Sequence, residues 1–412
     1  MRRIYLLALL LSLAATLPSC RKEAPELMNP NDAQLMEYPS QMFTTFWHGM
    51  NYSYGFWDLD PTDWDRVYDE YLPRFEEMDE VFEGISDNFD SDEGAEFFAA
   101  MKELFTEVCG NLIDHHLRIT FYKGTEHAFS ISPGDIDAGS RDYTHGRMVG
   151  EYLMGTINAN GVAGRIKDLK SGVYYVEGDD NNMTVISYRI DDVAYIFFTG
   201  FCFSGVLNKD PEGAVAQALR NYQRMILDEP DIKGVIIDVR ENGGGYLADM
   251  EHIVGPMIDS DLLVGYTRMK EGLGRFDYAP WVPSVISPAE KHRKVEVPVV
   301  VLANLYSVSM SEMTCMTVRQ LPNGCIVGER TFGGTGPLTG NFSLSYNGAW
   351  SNSLIYAYGS TCVMKDAQGE IHEGIGIVPD IEVLQTPEVE EAMRNGVDMQ
   401  LERALEYIRT GK

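Results

Sequence analysis

The chain has 412 residues, of which 44% are hydrophobic and 23% charged, as is ordinary for a soluble globular protein of two or three domains. Its formal net charge of −29 at pH 7 argues against nucleic acid as a partner and against a polybasic membrane-surface role. The excess of acidic residues does not indicate a particular partner, because solubility alone can explain it.

The N-terminus has the pattern of a targeting signal. A basic pair precedes an apolar run from Tyr5 to Leu17, which is too short to span a membrane and has the length of a signal peptide. The run ends in L-P-S-C at Cys20, which resembles a bacterial lipobox, although an incidental cysteine is the alternative. We expect a signal peptide over residues 1–19, lipidation of Cys20 and a polar tether over residues 20–38. The expected location is the bacterial cell envelope, on an outer membrane and facing the periplasm or the cell surface.

If Cys20 is lipidated, five cysteines remain, and an odd number leaves at least one free thiol. No C-x-x-C is present, so neither a zinc knuckle nor a thioredoxin-type site is indicated. Most of the five lie in apolar runs and are expected to act as small core residues. They are Cys109, Cys202, Cys315, Cys325 and Cys362.

Residues 39–116 have a helical, aromatic-rich texture and are predicted to form a helical N-terminal domain. One helix is expected to start near Asp60-Pro-Thr-Asp63, and a second to run from about Gly94 to Val108. An acid cluster between them invites comparison with a calcium loop, but the EF-hand spacing fails, so a solvated helix start is the better interpretation. The cluster comprises Asp87, Asp90, Asp92 and Glu93.

Residues 117–185 change to short β-like runs between Gly, Asp and Asn turns, and predict a small β-containing segment. Its expected strands are Leu117–Tyr122, Val173–Val176 and Met183–Arg189.

Residues 186–384 alternate strand and helix patterns, which predicts an α/β core around a mostly parallel sheet with right-handed crossovers. Residues 385–412 are predicted to close the chain with an amphipathic helix. The expected strands of the core are Ala194–Thr199, Gly234–Val239, Val297–Leu302 and Cys325–Val327, and its expected helices are Pro211–Leu227, Leu247–Ile258 and one beginning at Ser309.

The serine cluster S-V-S-M-S-E, centred on Ser309, follows a buried-strand pattern and precedes a helical one. A strand, a tight turn and a helix can expose a serine hydroxyl beside the positive end of the helix dipole. Ser309 is therefore a candidate nucleophile, but Ser307 and Ser311 flank it, and each of the three could be a plain helix cap.

Three other segments could supply the partners of a nucleophile. D-V-R-E-N-G-G-G, ending at Gly245, places glycines after a buried strand and could turn N–H groups toward an oxyanion. Asp114 precedes two histidines, His115 and His116, and histidine is the usual general base because its pKa lies near neutrality. Glu373 is followed by glycine in E-G-I-G-I-V-P-D and could orient such a base.

Together with V-G-E-R-T-F-G-G, these motifs resemble those of the C-terminal processing (tail-specific) peptidases and their tricorn-like relatives, over roughly residues 190–410. The resemblance implies a crotonase/ClpP-like β-β-α fold and serine peptidase chemistry. It places Ser309 as the nucleophile and the amides of Gly244 and Met310 at the oxyanion hole.

The resemblance also implies which residue acts as the base. The tail-specific branch has a lysine in T-F-G-K-G, but this chain has Gly334 at that place, and Lys365 does not match the motif. The tricorn-like branch has a histidine in D-x-H and a glutamate in E-x-x-G-V-x-P-D, which His116 and Glu373 match. That branch also has a serine just before the histidine, where this chain has His115, so a fourth, orienting residue is not identified.

The expected function is that of a lipid-anchored serine endopeptidase acting on peptides or unfolded proteins, with no cofactor, metal or nucleic acid. The family often carries a peptide-binding PDZ domain, whose carboxylate loop is not recognisable in residues 117–185. One alternative is a catalytically inactive peptide-binding lipoprotein on the same fold. Another is acyl-transfer or hydratase activity on a crotonase-like fold.

Overall fold

The computed structural model describes residues 36–85, 88–141, 147–175, 182–272, 274–338 and 348–412. The predicted signal peptide, Cys20 and most of the predicted tether lie outside the described residues. Within them, no helix combines the length and the apolar character needed to cross a membrane.

The chain alternates helices and strands along most of its length. The helices are α1 (Pro39–Ser53), α2 (Trp64–Ile85), α3 (Asp92–Cys109), α4 (Pro133–Ser140), α5 (Met148–Val162), α6 (Phe203–Lys209), α7 (Ala214–Asp228), α8 (Met250–Ile253), α9 (Met310–Arg319), α10 (Pro387–Arg394) and α11 (Met399–Thr410). The strands are β1 (Arg118–Phe121), β2 (Phe129–Ile131), β3 (Ile166–Tyr175), β4 (Asn182–Ile190), β5 (Val193–Phe198), β6 (Gly234–Asp238), β7 (Leu262–Met269), β8 (Val282–Ile286), β9 (Val299–Ala303), β10 (Gly324–Gly328), β11 (Ala349–Ser351), β12 (Tyr356–Tyr358), β13 (Cys362–Asp366) and β14 (Ile381–Glu382).

The largest sheet has seven strands in the order β14-β10-β9-β6-β5-β4-β3. Strands β14 to β5 run parallel, and β4 and β3 complete the sheet antiparallel. Every residue of β5, β6 and β9 is buried, as expected for strands covered on both faces. Helices α7 and α9 pack on one face, and α5 and α11 on the other. The mixed α/β fold predicted from the sequence is thus observed.

Helices α1–α3 pack on a second sheet of four antiparallel strands in the order β11-β12-β1-β2. Aromatic side chains form the contact, with the Phe105 and Phe121 ring centroids 3.8 Å apart. This sheet joins distant parts of the chain, since Ile119 of β1 pairs with Ala357 of β12. The segment just before β1, which contains His116, is thereby held against the C-terminal part of the core.

The structure departs from the predicted elements in two places. Residues 117–185 contain helices α4 and α5, and β3 and β4 belong to the large sheet, so a boundary at 185 would cut β4. The three glycines of α5 are poor helix formers, which obscures its helical pattern in the sequence. The predicted helix Leu247–Ile258 is broken into two 3₁₀ turns around α8, and Pro256 interrupts the backbone hydrogen bonds there.

The core-residue prediction for the cysteines is confirmed for Cys109, Cys315 and Cys325, which are buried and free. Cys202 and Cys362 are also free but only partly buried.

The loops that follow β6, β9 and β10 leave the carboxyl ends of adjacent parallel strands and therefore meet at one edge of the sheet. Open α/β sheets place their ligand sites at such an edge. The predicted functional residues of these three loops are consequently brought together by the fold.

Candidate active site

Ser309 lies on a tight turn between β9 and α9. Its φ of 59° is positive, a conformation that is uncommon for a residue with a side chain and that recurs at functional turns. Its N–H donates to Gly334 O at 3.1 Å and to Glu312 Oε2 at 3.0 Å, which fix the strained turn. The side chain is partly exposed at the N-terminus of α9, where the helix dipole favours a developing negative charge.

The flanking serines have structural roles. Ser307 and Ser311 are fully buried, and their hydroxyls donate to the carbonyl oxygens of Val239 and Asn242, both at 2.8 Å. These bonds fasten the Ser309 turn to the loop after β6. Since both hydroxyls are occupied and shielded from solvent, Ser309 is the one serine of the cluster available to a substrate.

Gly244 contacts the nucleophile turn directly. A Cβ at this position would lie 2.7 Å from Ser309 Cβ and 3.0 Å from Met310 N, and its φ of 95° also requires glycine. The Gly244 N–H donates to Asn242 Oδ1 at 2.8 Å, so a bound carbonyl oxygen would have to displace that acceptor. The oxyanion role of Gly244 and Met310 therefore stays a prediction, although their closeness to Ser309 fits it.

Gly334 lies between the nucleophile turn and His116. Its carbonyl oxygen accepts from Ser309 N–H, and a Cβ on it would lie 3.2 Å from Nδ1 and 3.4 Å from Nε2 of the His116 ring. The imidazole thus packs against the bare Cα of Gly334. Gly334 occupies the position where the tail-specific peptidases have lysine. In this chain that position contacts the His116 ring.

Lys365, the lysine that follows Gly334 in the sequence without matching the peptidase motif, lies on β13. Its Nζ lies 4.4 Å from the Trp281 ring centroid and 5.3 Å from that of Tyr266. It therefore makes cation–π contacts with these rings.

The environment of His116 suits a neutral base. Burial of the ring, aided by the neighbouring His115, lowers the pKa of His116 to about 4. The ring is therefore unprotonated at neutral pH and can accept a proton. Its Nδ1 is buried and has no hydrogen-bond partner among the described residues.

Glu373 is buried beside His116, with its carboxylate held by backbone groups. Oε1 accepts from His115 N–H at 3.0 Å, and Oε2 accepts from the N–H groups of Thr335 and Gly336 at 2.7 and 2.6 Å. A ring nitrogen of His116 lies within 4.8 Å of a Glu373 oxygen. The structure thus brings Glu373 to His116, while no direct hydrogen bond between their side chains is present among the described residues.

Sequence reasoning assigned no role to Glu312, although it belongs to the serine motif. Its buried Oε1 accepts from Thr331 Oγ1 at 2.6 Å and from Gly333 N–H at 2.7 Å, while Oε2 holds Ser309 N–H. Burial raises the pKa of Glu312 to about 7. This carboxyl ties the Ser309 turn to the loop after β10, and its place in S-V-S-M-S-E was the available signal.

Two groups among the described residues have the spacing of a metal site. One consists of Asp90, Glu126 and His127 at the surface, where acidic clusters are common without an ion. The other consists of Asp114, His116 and Glu373, whose donor atoms lie within 4.8 Å of one another. Backbone N–H groups already donate to oxygens of both Asp114 and Glu373. These three residues could therefore take part in proton transfer as well as bind a cation.

Replacing Gly334 by alanine is expected to lower kcat for a reaction that uses Ser309 and His116 together between about 10-fold and 100-fold, because displacing a reacting group by about 1 Å can cost that much. The backbone of Gly334 is not left-handed, so the loss would come from the added Cβ pressing on the His116 ring. Steady-state kinetics of Gly334→Ala beside Gly155→Ala, whose Cβ would meet no atom within 4 Å, measures this. Equal kcat values in both variants would contradict it.

The α/β core of the chain is similar to known peptidases. A family model described as peptidase family S41 matches residues 192–383. The chain is 24% identical over 281 residues to the chloroplastic carboxyl-terminal-processing peptidase 3 of Arabidopsis thaliana, covering 64% of this chain and 48% of that protein. It is 26% identical over 190 residues to the tricorn protease of Thermoplasma volcanium, covering 46% of this chain and 16% of that protein. The chain thus spans about half the length of the first relative and far less of the second.

Solved structures share the fold over nearly the whole chain. A crystal structure from Parabacteroides merdae ATCC 43184 has a TM-score of 0.60 at 23% identity and covers 91% of this chain and 98% of its own. Mature CPAF in complex with lactacystin has a TM-score of 0.55 at 11% identity, covering 91% and 99%. At these identities the likeness establishes the fold alone, and it includes the helical N-terminal region that holds His116.

Proposed function

We propose that the chain is a serine endopeptidase in which Ser309 is the nucleophile and His116 the base, because residues 192–383 match the model of peptidase family S41. Glu373 orients His116, and the amides of Gly244 and Met310 receive the oxyanion. The observation that carries this proposal is the meeting at Gly334, whose carbonyl holds Ser309 N–H while its Cα supports the His116 ring.

The proposed reaction runs in two halves. Ser309 Oγ bonds to the scissile carbonyl carbon as its proton passes to His116, and the carbonyl oxygen takes up the negative charge. The tetrahedral intermediate then expels the amine, which leaves with the proton from His116, and an acyl-enzyme remains. Water repeats the sequence with His116 again as base, and releases the carboxylic acid and free Ser309.

Two electrostatic features bear on these steps. The lowered pKa of His116 keeps the ring unprotonated near pH 7, and because it also makes the ring a weaker base, the imidazolium needs a nearby negative charge. The N-terminus of α9 places a positive dipole end at the developing oxyanion. Such preorganised donors act in a site shielded from water, where their effect is larger than in solution.

A fluorophosphonate probe, which reacts with activated serines, tests the assignment. We expect wild-type protein to be labelled at Ser309, as mapped by mass spectrometry, and Ser309→Ala to escape labelling. Buried Ser307 supplies the matched control, because Ser307→Ala should still be labelled at Ser309. A folded wild-type protein that neither reacts with the probe nor cleaves a peptide library would favour the alternative of an inactive peptide-binding protein.

We further propose that the protein is lipid-anchored through Cys20 in a bacterial cell envelope, which rests on the L-P-S-C pattern after the apolar run. Expression with an alkyne-bearing fatty acid should label the wild-type protein, and Cys20→Ser should remove both the label and the membrane association. Membrane association that survives Cys20→Ser would count against the lipid anchor.

A further inference from the structure

Asp114 is a buried acidic residue whose side chain contacts the backbone of His116. It is 1% exposed. Its Oδ1 accepts from the His116 backbone N–H at 3.0 Å and from Ser360 Oγ at 2.8 Å. Its Oδ2 accepts from Ser360 N–H at 2.8 Å. Asp114 therefore fixes the backbone of the proposed base and joins it to the loop after β12.

Asp114 and Glu373 are buried neighbours that accept from the backbone N–H groups of His116 and His115, respectively. One oxygen of each, together with a ring nitrogen of His116, lie within 4.8 Å of one another. Among the described residues, no lysine or arginine forms an ion pair with either carboxyl. Two buried negative charges at this separation repel strongly, so the pair is expected to keep one proton.

The protonation of both groups follows from this setting. Burial raises the pKa of Asp114 to about 6, and it raises that of Glu373 well above its ordinary value, with the charges of Asp114 and Glu312 adding to the effect. Hydrogen bonds from backbone N–H groups oppose these shifts without cancelling them. The titratable groups facing the pair are Tyr54, Asp60, His115, His116, Glu312 and Tyr358.

A second observation points to the same place. Nδ1 of His116 is buried, yet it has no hydrogen-bond partner among the described residues. An imidazolium formed during the reaction would need a negative charge next to this nitrogen. One oxygen of each of the two carboxyls lies within 4.8 Å of a ring nitrogen of His116.

We propose that Asp114 is a positioning residue that shares one proton with Glu373, so that the two carboxyls act as a pair of charge −1 beside His116. This role rests on the proposed function for its catalytic meaning, but the shared proton can be detected without activity. When His116 takes the proton of Ser309, the pair balances the imidazolium and keeps its own proton. A doubly charged pair would repel itself, and a neutral pair would leave the imidazolium unsupported.

The pair also sets a pH dependence of stability. Carboxyls whose pKa is raised by folding stabilise the protein fully below the ordinary carboxyl pKa of about 4, and this contribution is lost as pH rises through the folded-state values. His116 acts in the opposite direction, because its lowered pKa makes stability increase from about pH 4 to 6.5. Removing Asp114 should therefore flatten the loss of stability between about pH 4 and 6, the range from the ordinary carboxyl pKa to that of folded Asp114.

Infrared spectroscopy of the Ser309→Ala protein tests the shared proton independently of catalysis. At about pH 8, above the pKa of about 7 of Glu312, we expect a protonated-carboxyl C=O band that Asp114→Asn and Glu373→Gln each remove. Asp366→Asn is the control, because hydrogen bonds with His372 and backbone groups outweigh burial and lower the pKa of Asp366, so it carries no such proton. A spectrum without the band in the parent protein, or a band that both variants retain, overturns the proposal.

Kinetics separate a positioning role from a structural one. Asp114→Asn should lower kcat by at most roughly tenfold, because Glu373 then carries the single negative charge alone, with KM little changed and the pH dependence of kcat altered. Substituting both carboxyls should cost far more than the two single changes predict, because no charge then remains. Equal losses at every pH, or a stoichiometric metal ion whose chelation abolishes activity, would contradict the pair.

If Ser309→Ala retained full activity, the proposed peptidase mechanism would fail while the infrared result would still decide whether Asp114 and Glu373 share a proton. If Asp114→Asn does not fold, the pH dependence of the band in the parent protein decides instead. If the band has already disappeared when the pH is raised to about 5, the carboxyl that produces it has an ordinary pKa. Such a band belongs to neither Asp114 nor Glu373 and would rule the pair out.

Discussion

Replacing Ser309 by alanine is expected to lower kcat for peptide hydrolysis at least about 10³-fold while leaving the fold intact. The hydroxyl is the group that bonds to the substrate carbonyl, and no other serine of the cluster can replace it, since Ser307 and Ser311 are buried and donate to the neighbouring loop. Ser309 N–H makes the backbone contacts of the turn, and the hydroxyl also caps α9 in a capping box with Glu312. Loss of this cap should cost about 1 kcal/mol, so thermal unfolding of the variant should shift only slightly below that of wild type.

Residues that act as a unit in catalysis give non-additive losses. His116→Ala should lower kcat to a similar extent as Ser309→Ala, and the double variant should be no slower than the slower single variant. Steady-state hydrolysis of a fluorogenic peptide library by the three variants measures this. Multiplicative losses would mean that the two residues contribute independently, which the proposed proton transfer from Ser309 to His116 does not allow.

Much of the core was predictable because its signals are local. Strands β5, β6 and β9 are continuous apolar runs, and their observed bounds differ from the predicted ones by at most two residues. The serine on the turn before α9 was predictable from the strand, serine cluster and helix in succession. The order of the motifs then selected Ser309, His116 and Glu373, which the fold brings into one region.

The remainder of the site was not predictable because it depends on contacts between distant segments. The Ser360 hydroxyl donates to Asp114 across 246 positions, and the Thr335 hydroxyl donates to Glu373 across 38 positions. No local sequence pattern predicts either contact. The hydrogen bond of Gly244 N–H to Asn242 depends on the detailed turn of a glycine-rich loop. Helix α5 was missed because its glycines have low helix propensity and its stability comes from packing on the large sheet.

Arg240, at the start of the loop that carries Gly244, fixes this loop to the rest of the core through buried ion pairs. This side chain is 1% exposed, and its guanidinium binds both oxygens of Asp238 and both oxygens of Asp398. Asp398 also caps α11, since it accepts from Leu401 N–H at 3.0 Å. One buried arginine therefore joins the end of β6 to the C-terminal helix and supports the loop that contacts Ser309.

Arg240→Ala is expected to destabilise the folded protein by about 3–5 kcal/mol, because it leaves two buried carboxylates without their cation. Urea unfolding beside Arg66→Ala measures the effect. Arg66 is the matched control, since its side chain is 77% exposed and its ion pair with Glu70 should be dispensable. Similar unfolding midpoints for the two variants would contradict the prediction.

A second substitution distinguishes lost charge balance from lost packing. If the cost of Arg240→Ala comes from the unpaired carboxylates, adding Asp398→Asn should recover part of the stability, because one buried charge is then removed. If the cost comes only from the cavity, Asp398→Asn should recover none of the stability, because asparagine caps a helix about as well as aspartate and the cavity remains. Because the Arg240 loop also positions Gly244 against Ser309, recovered stability should be accompanied by recovered labelling of Ser309 by the fluorophosphonate probe.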